Sequence, residues 1–241
     1  MYNFKRQSGF TLVEIAIVLV IIGLLLGGIL KGQELINSAR VRNLADQNSG
    51  IQAAYYGFID RYRQVPGDMT PQNACDAIGV SNFPGSPADC TAVAGGDGNG
   101  SLNVEDFGEA SALWNHLAAS GFIQGGYLGT ATDDATYLAG TQTPVNAFNG
   151  RAILTRTDQY EPSGGSARLT YTFGNQIPVS IMRELDVKID DAQPAQGVLR
   201  HTDNTTAGEV FESTAGCVAA GPPEIWDIDT AEQNCNAMYI Y

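Results

Sequence analysis

The chain has 241 residues, 44% of them hydrophobic and 16% charged, with a formal net charge of −13. A surface of that charge repels phosphate backbones, which excludes direct electrostatic binding of nucleic acid, and it favours solubility and divalent cations. The hydrophobic share is that of a globular protein, and the small charged share, with abundant Gly, Ser, Thr and Asn, suits an exported, loop-rich domain containing β-structure.

The first element is the apolar run from Gly9 to Leu30. Between Phe10 and Leu30 the only charged residue is Glu14. Roughly 20 helical residues span roughly 30 Å, the thickness of a bilayer core. Helix is the state expected there, because lipid offers the backbone no hydrogen-bond partners. Lys5 and Arg6 precede the run with no acid beside them, which places the N-terminus in the cytoplasm and exports the rest. Glu14 stands out, since a carboxylate inside such a helix costs roughly 3 kcal/mol and intramembrane acids are functional candidates by default. A secretory signal peptide has a shorter apolar core with small residues after it; here the small residue, Gly9, comes before it. Gly23, Gly27, Gly28 and Gly32 follow within ten residues. They are open to two readings: close helix packing in a membrane, or a weak segment that unwinds, each Gly costing roughly 1 kcal/mol against Ala.

The order Ser8, Gly9, Phe10, Thr11, Leu12, Val13, Glu14 before an apolar run resembles the class III signal of type IV pilins and of type II secretion pseudopilins. The resemblance implies cleavage between Gly9 and Phe10 by a prepilin peptidase on the cytoplasmic face, and N-methylation of the new Phe10 amine. It implies that Glu14, fifth in the mature chain, pairs with the Phe10 amine of a neighbouring subunit during assembly. A buried carboxylate and a buried ammonium are each costly alone and tolerable together. Many family members carry a proline near the position of Lys31; this chain has none. The plain alternative is an uncleaved signal anchor with a stray acid.

Beyond the anchor, Leu35, Ala39, Leu44, Ile51, Tyr55, Phe58 and Tyr62 recur at helical spacing with polar residues between them, so the helix continues as an amphipathic one. Val65, Pro66, Gly67 and Asp68 read as its stop. A helix from Thr11 to Tyr62 would be ~78 Å long. Residues 67–104 read as an irregular loop rich in Pro and Gly. A second helix is expected from about Val104 to Ser120, with Phe107, Ala110, Leu113, Trp114 and Leu117 on its apolar face and Gly121 capping it. Strand candidates follow at Arg151–Thr157, Ala167–Phe173, Gly197–His201, Glu209–Glu212 and Ala237–Tyr241, with a short helix from Pro178 to Asp186. The fold class is therefore α+β: a long N-terminal α-helix, transmembrane then amphipathic, packed on a loop-rich antiparallel β domain. The divisions are a leader at 1–9, a membrane or filament-core helix at 10–30, its amphipathic continuation at 31–64, and a head at 65–241. Val65 to Met69, Trp114 to Ile123, and Leu185 to Arg200 also resemble segments of pilin-like proteins.

Four cysteines, Cys75, Cys90, Cys217 and Cys235, lie outside the anchor; an even count in an exported chain reads as two disulfides. The local pairing, Cys75–Cys90 and Cys217–Cys235, closes two short loops and is preferred among the three possible. Zinc is the rival, weakened by the absence of Cys-x-x-Cys and by only two histidines, His116 and His201. Set against a calcium EF-hand loop, Gly95 to Asp106 puts Asp97, Asn99, Gly100 and Asp106 in register, but Gly95 stands where an Asp ligand belongs and Asp106 where a Glu belongs. Candidate Ca2+ oxygens are Asp97, Asn99, Ser101, Glu105 and Asp106, with Glu109 nearby; the competing reading is a glycine-rich turn leading to a capped helix. No catalytic constellation stands out. His201 beside Asp203 lacks a nucleophile motif, Asp190 and Asp191 read as a solvated turn, and Trp226 to Asp229 read as an exposed contact.

The function implied is a non-enzymatic filament subunit of the type IV pilin kind. It waits as a single-pass inner-membrane protein with a periplasmic head, held by membrane lipid, and then enters a cell-surface filament. Its partners would be copies of itself, other pilins, the prepilin peptidase and an inner-membrane assembly platform. A type II secretion pseudopilin in a periplasmic pseudopilus is the nearer alternative, and a membrane-anchored periplasmic binding domain or enzyme that never polymerises is the other.

Overall fold

The structure, a computed structural model, describes residues 11–85, 87–161, 165–202 and 204–241. They fall into two compact units, one ending at Arg40 and the other comprising Val41–Tyr241. The first α-helix, α1, is Leu12–Tyr62 and contributes to both. In the first unit it contains an 18-residue window of mean hydropathy 2.8 with no residue buried; Leu12, for example, is 91% exposed. Its backbone polar groups are satisfied within the helix, and its unpaired apolar side chains call for lipid or other protein around them.

In the second unit the character of α1 changes. Val41, Leu44, Ala45, Asn48, Ile51, Ala54, Tyr55 and Phe58 are buried at spacings of three and four, a stripe on one face of a helix. α1 ends where Arg63 turns left-handed (φ 56°), just before Val65 and Pro66. The following stretch holds a helix that the irregular-loop expectation missed, α2 (Pro71–Ile78). Thr70 caps it, its hydroxyl accepting from Asn73 N at 3.3 Å, and Pro71 supplies the first helical φ. A disulfide from Cys75 to Cys90 fastens α2 to a 3-10 turn at Cys90–Ala92. α3 (Phe107–Ala119) starts at its cap Asp106 and buries Ala110, Leu113, Trp114 and Leu117 completely. Gly121, at φ 78°, turns the chain so that Phe122 N reaches Leu117 O at 3.0 Å.

The strands are β1 (Ile153–Thr157), β2 (Arg168–Thr172), β3 (Leu199–His201), β4 (Val218–Ala219), β5 (Ile225–Trp226) and β6 (Ala237–Ile240). The main sheet runs β1-β2-β6-β3, antiparallel throughout, and β4 pairs with β5 in a two-stranded one. Tyr171 faces Leu154 on one side and Tyr239 on the other, which fixes the register of three strands. The last strand thus lies inside the sheet, and the terminal Tyr241 hydroxyl donates to Asn48 Oδ1 on α1 at 2.9 Å. α4 (Val179–Ile189) follows β2, extending three residues past the expected end. The layout is α+β: a long apolar N-terminal helix followed by an antiparallel sheet domain.

Two segments differ from their expected form. Glu209–Glu212 is a turn, because its acids bond locally: Glu209 Oε2 accepts from Asn204 Nδ2 at 2.7 Å and Glu212 Oε2 from Gly208 N at 2.8 Å. Trp226 is no exposed contact. It is 2% exposed, and its Nε1 donates to Asp186 on α4 at 2.7 Å, although Ile225 and Ile228 on either side are open to solvent. The loop bearing Trp226 is closed by the second disulfide, Cys217–Cys235.

Candidate functional site

Gly9 and Phe10, the expected cleavage and methylation positions, lie outside the described residues, as do Lys5, Arg6 and Ser8. The first described feature is a capping box. Glu14 Oε2 accepts from Thr11 N and from the Thr11 hydroxyl, each at 2.8 Å, and Glu14 N donates back to Thr11 Oγ1 at 3.3 Å. Thr-x-x-Glu at a helix start is the sequence signal for this motif, a role for Glu14 beside the expected pairing with a neighbouring amine. Glu14 thus occupies two donors of its own chain while its carboxylate keeps further lone pairs for a cation. Gly23, Gly27, Gly28 and Gly32 are all helical, and a Cβ on any of them would meet nothing within 4 Å.

The acidic loop of the second unit is organised by residues outside the EF-hand register. Asp68 and Glu109, both nearly fully buried, converge with Asp97 so that one oxygen of each lies within 4.8 Å of the others. Asp68 accepts from Asn99 N at 3.0 Å and Gly100 N at 2.9 Å. Glu109 accepts from Asn103 N at 2.6 Å and Asn103 Nδ2 at 3.0 Å. The loop backbone therefore wraps two carboxylates from neighbouring elements. Of the expected calcium ligands, Asp97, Asn99 and Ser101 are adjacent, joined by Asn99 N to Asp97 Oδ1 and Ser101 N to Asn99 Oδ1, both 3.0 Å. Glu105 and Asp106 are engaged elsewhere: Glu105 Oε1 accepts from the Thr157 hydroxyl at 2.5 Å, and Asp106 Oδ1 caps α3 through Glu109 N at 3.1 Å. Burial pushes the Glu109 carboxyl up, opposed by its bond from Asn103 N, while hydrogen bonds from Asn103 and Asn99 hold Asp97 down. Gly96 admits no side chain, since a Cβ would lie 2.7 Å from both Glu109 Oε1 and Gly67 O.

His116 is structural. It is wholly buried, Nδ1 accepts from Gly67 N at 3.0 Å, and Nε2 lies 2.8 Å from Ala94 O, an arrangement that fixes the neutral Nε2–H tautomer. Burial lowers its pKa to about 4. Asp186, also wholly buried, accepts from Trp226 Nε1 and, at 3.2 Å, from Ala192 N; burial raises it to about 6, with Asp190 and Asp191 adding to the rise. The two groups have opposite linkage. The unfolded chain binds more protons at His116 between pH 4 and 6.5, so that contribution to stability is lost as pH falls through this window. The folded chain binds more at Asp186 between pH 3.8 and 6, so that contribution is lost as pH rises through it. Asp186→Asn is therefore expected to gain stability relative to the parent chain at pH 7 compared with pH 4, measured as urea midpoints; a difference independent of pH would refute the assignment. His201 Nε2 lies 3.3 Å from Glu224, and Asp203 is outside the described residues.

Residues 4–30 match the family described as the prokaryotic N-terminal methylation motif, the prepilin-type cleavage and methylation segment of type IV pilins and pseudopilins. Comparison with curated proteins and with solved structures found no match. The match supports a precursor of the type IV pilin or pseudopilin kind, with one N-terminal apolar helix fit for a single-pass inner-membrane anchor.

Proposed function

We propose that the chain is a structural subunit of a type IV pilus-like filament. On this reading residues 1–9 are a leader removed between Gly9 and Phe10, Phe10 is N-methylated, and residues 10–30 serve first as membrane anchor and then as filament core. Residues 31–64 carry the helix into the head, and 65–241 form the outer domain. The observation that carries the reading is Glu14, the sole charge between Phe10 and Leu30, placed within the matched segment and in the apolar part of α1 that buries nothing. A lone signal anchor has no use for that acid, whereas a subunit that must align with its neighbour in an apolar core does. The partners are further copies and other pilins, the prepilin peptidase, and an assembly platform in the inner membrane. Metal binding at Asp97, Asn99, Ser101, Glu105 and Asp106 forms no part of the proposal, since Glu105 and Asp106 have other partners.

Shearing separates the pilus from the pseudopilus. Filaments stripped from the cell surface are expected to contain this chain as an abundant component. A chain found only in the inner membrane, processed but never sheared off, would replace the surface filament with a periplasmic pseudopilus.

A further inference from the structure

The head carries an open cleft of about 540 Å³, lined among others by Leu138, Asn149, Arg151, Asn175, Gln176 and Asn234. The loops that form it are tied together. Asn146 Nδ2 donates to Phe173 O at 2.9 Å and Asn175 O at 3.1 Å, while its Oδ1 accepts from Gly150 N at 2.9 Å. Asn234 Oδ1 accepts from Gln176 N at 2.9 Å. Asn149 and Gln176 both hold left-handed backbone, φ 66° and 68°. That conformation is uncommon outside glycine and unfavourable for Gln, and such residues gather where a fixed loop presents a ligand site.

The cation of the cleft is already engaged, and its remaining carboxylate is held by neutral donors. Arg151 pairs with Asp134 at 3.1 Å and donates to Gly208 O at 2.5 Å, Asp134 O at 2.8 Å and Tyr137 O at 3.1 Å. Glu212 accepts from Asn234 Nδ2 at 2.9 Å and Gly208 N at 2.8 Å. By contrast, among the described residues the side-chain amides of Asn149, Asn175 and Gln176 have no hydrogen-bond partner in the chain. Three amides, each both donor and acceptor, therefore line a cleft whose one cation is already engaged, with the exposed aliphatic side chains of Leu138 (53% exposed) and Ala139 at the edge.

We propose that this cleft binds a neutral oligosaccharide. Hydroxyl groups match amides that give and accept, and the C–H face of one sugar ring matches Leu138 and Ala139. An anionic ligand would meet a chain of net charge −13 with no unpaired cation in the cleft. A peptide would require the deep apolar anchor pocket that this lining lacks. The inference rests on the head alone and stands or falls independently of filament assembly.

The test uses the full chain in phospholipid nanodiscs, free of sugar detergent, on an array of neutral and sialylated oligosaccharides. Retention of one or more neutral glycans is expected. Asn175→Ala with Gln176→Gly, at an unchanged thermal midpoint, is expected to weaken that binding about tenfold, the effect of losing two hydrogen bonds. Asn149→Gly, which fits its left-handed backbone without strain, is the second variant and is expected to weaken it as well. No neutral glycan bound at millimolar concentration, equal retention of sialylated glycans, or binding untouched by either variant would each overturn the proposal.

Discussion

Glu14→Ala is expected to abolish filaments while leaving the subunit in the inner membrane. Removing the carboxylate makes membrane insertion easier by roughly 3 kcal/mol, so the anchored form does not suffer. On the proposed function, what is lost is the one charge that would pair with a neighbour's Phe10 amine inside an apolar core. An unpaired buried ammonium costs roughly 3–5 kcal/mol, which multiplies the subunit concentration needed for growth by roughly 10² or more. The capping box adds a control, since Glu14 also accepts from Thr11 N and its hydroxyl. Glu14→Gln keeps an oxygen for that cap and removes the charge. It should fail to assemble as Ala does; assembly by Gln and not by Ala would assign Glu14 to capping the helix and not to charge pairing. Immunoblots of sheared and membrane fractions decide between them.

The second large effect is expected at Trp114. It is completely buried on α3, and its Nε1 donates to the Tyr137 hydroxyl at 2.6 Å, which in turn donates to Ala152 O at 3.2 Å beside β1. The ring is thus both core filler and the link from α3 through Tyr137 to the start of the sheet. Trp114→Ala leaves a cavity and takes a donor from a buried hydroxyl, a loss of about 3–5 kcal/mol. That is a large part of the 5–15 kcal/mol by which domains are stable. Trp114→Phe keeps much of the apolar volume and should cost clearly less. Urea unfolding of the full chain measures both; an Ala variant within about 1 kcal/mol of the parent would show that the head does not depend on this ring.

Periodicity made the long helix and α3 legible, the buried stripe of α1 keeping helical spacing from Val41 to Phe58, while the strands of the main sheet were legible from Thr, Tyr, Val and Ile set between turn formers. α2 was legible in principle from Thr70-Pro71, a cap followed by a helix-starting proline, but its eight residues sit in a Pro- and Gly-rich stretch that hides it. The short β4 and β5 are too brief to show alternation. At Glu209–Glu212 the adjacent Val210 and Phe211 read as strand formers, and local bonds from Asn204 and Gly208 prevailed over them. Long-range partners were out of reach. The loop at Gly95 to Asp106 looked self-contained, yet it is held by Asp68, 31 and 32 residues before the amides it binds, and by Glu109. Trp226 gave no sign that Asp186, 40 residues earlier, would bury it. Nothing in spacing alone brings Asn149, Asn175 and Asn234 to one cleft; strand pairing and turns do that.

The most direct measurement is the intact mass of the chain in sheared surface filaments and, separately, in the inner membrane. A chain that begins at Phe10 and carries one added methyl group is expected, abundant in the sheared fraction. A chain that begins at Met1, confined to the membrane, would contradict it and reduce the N-terminal helix to an anchor.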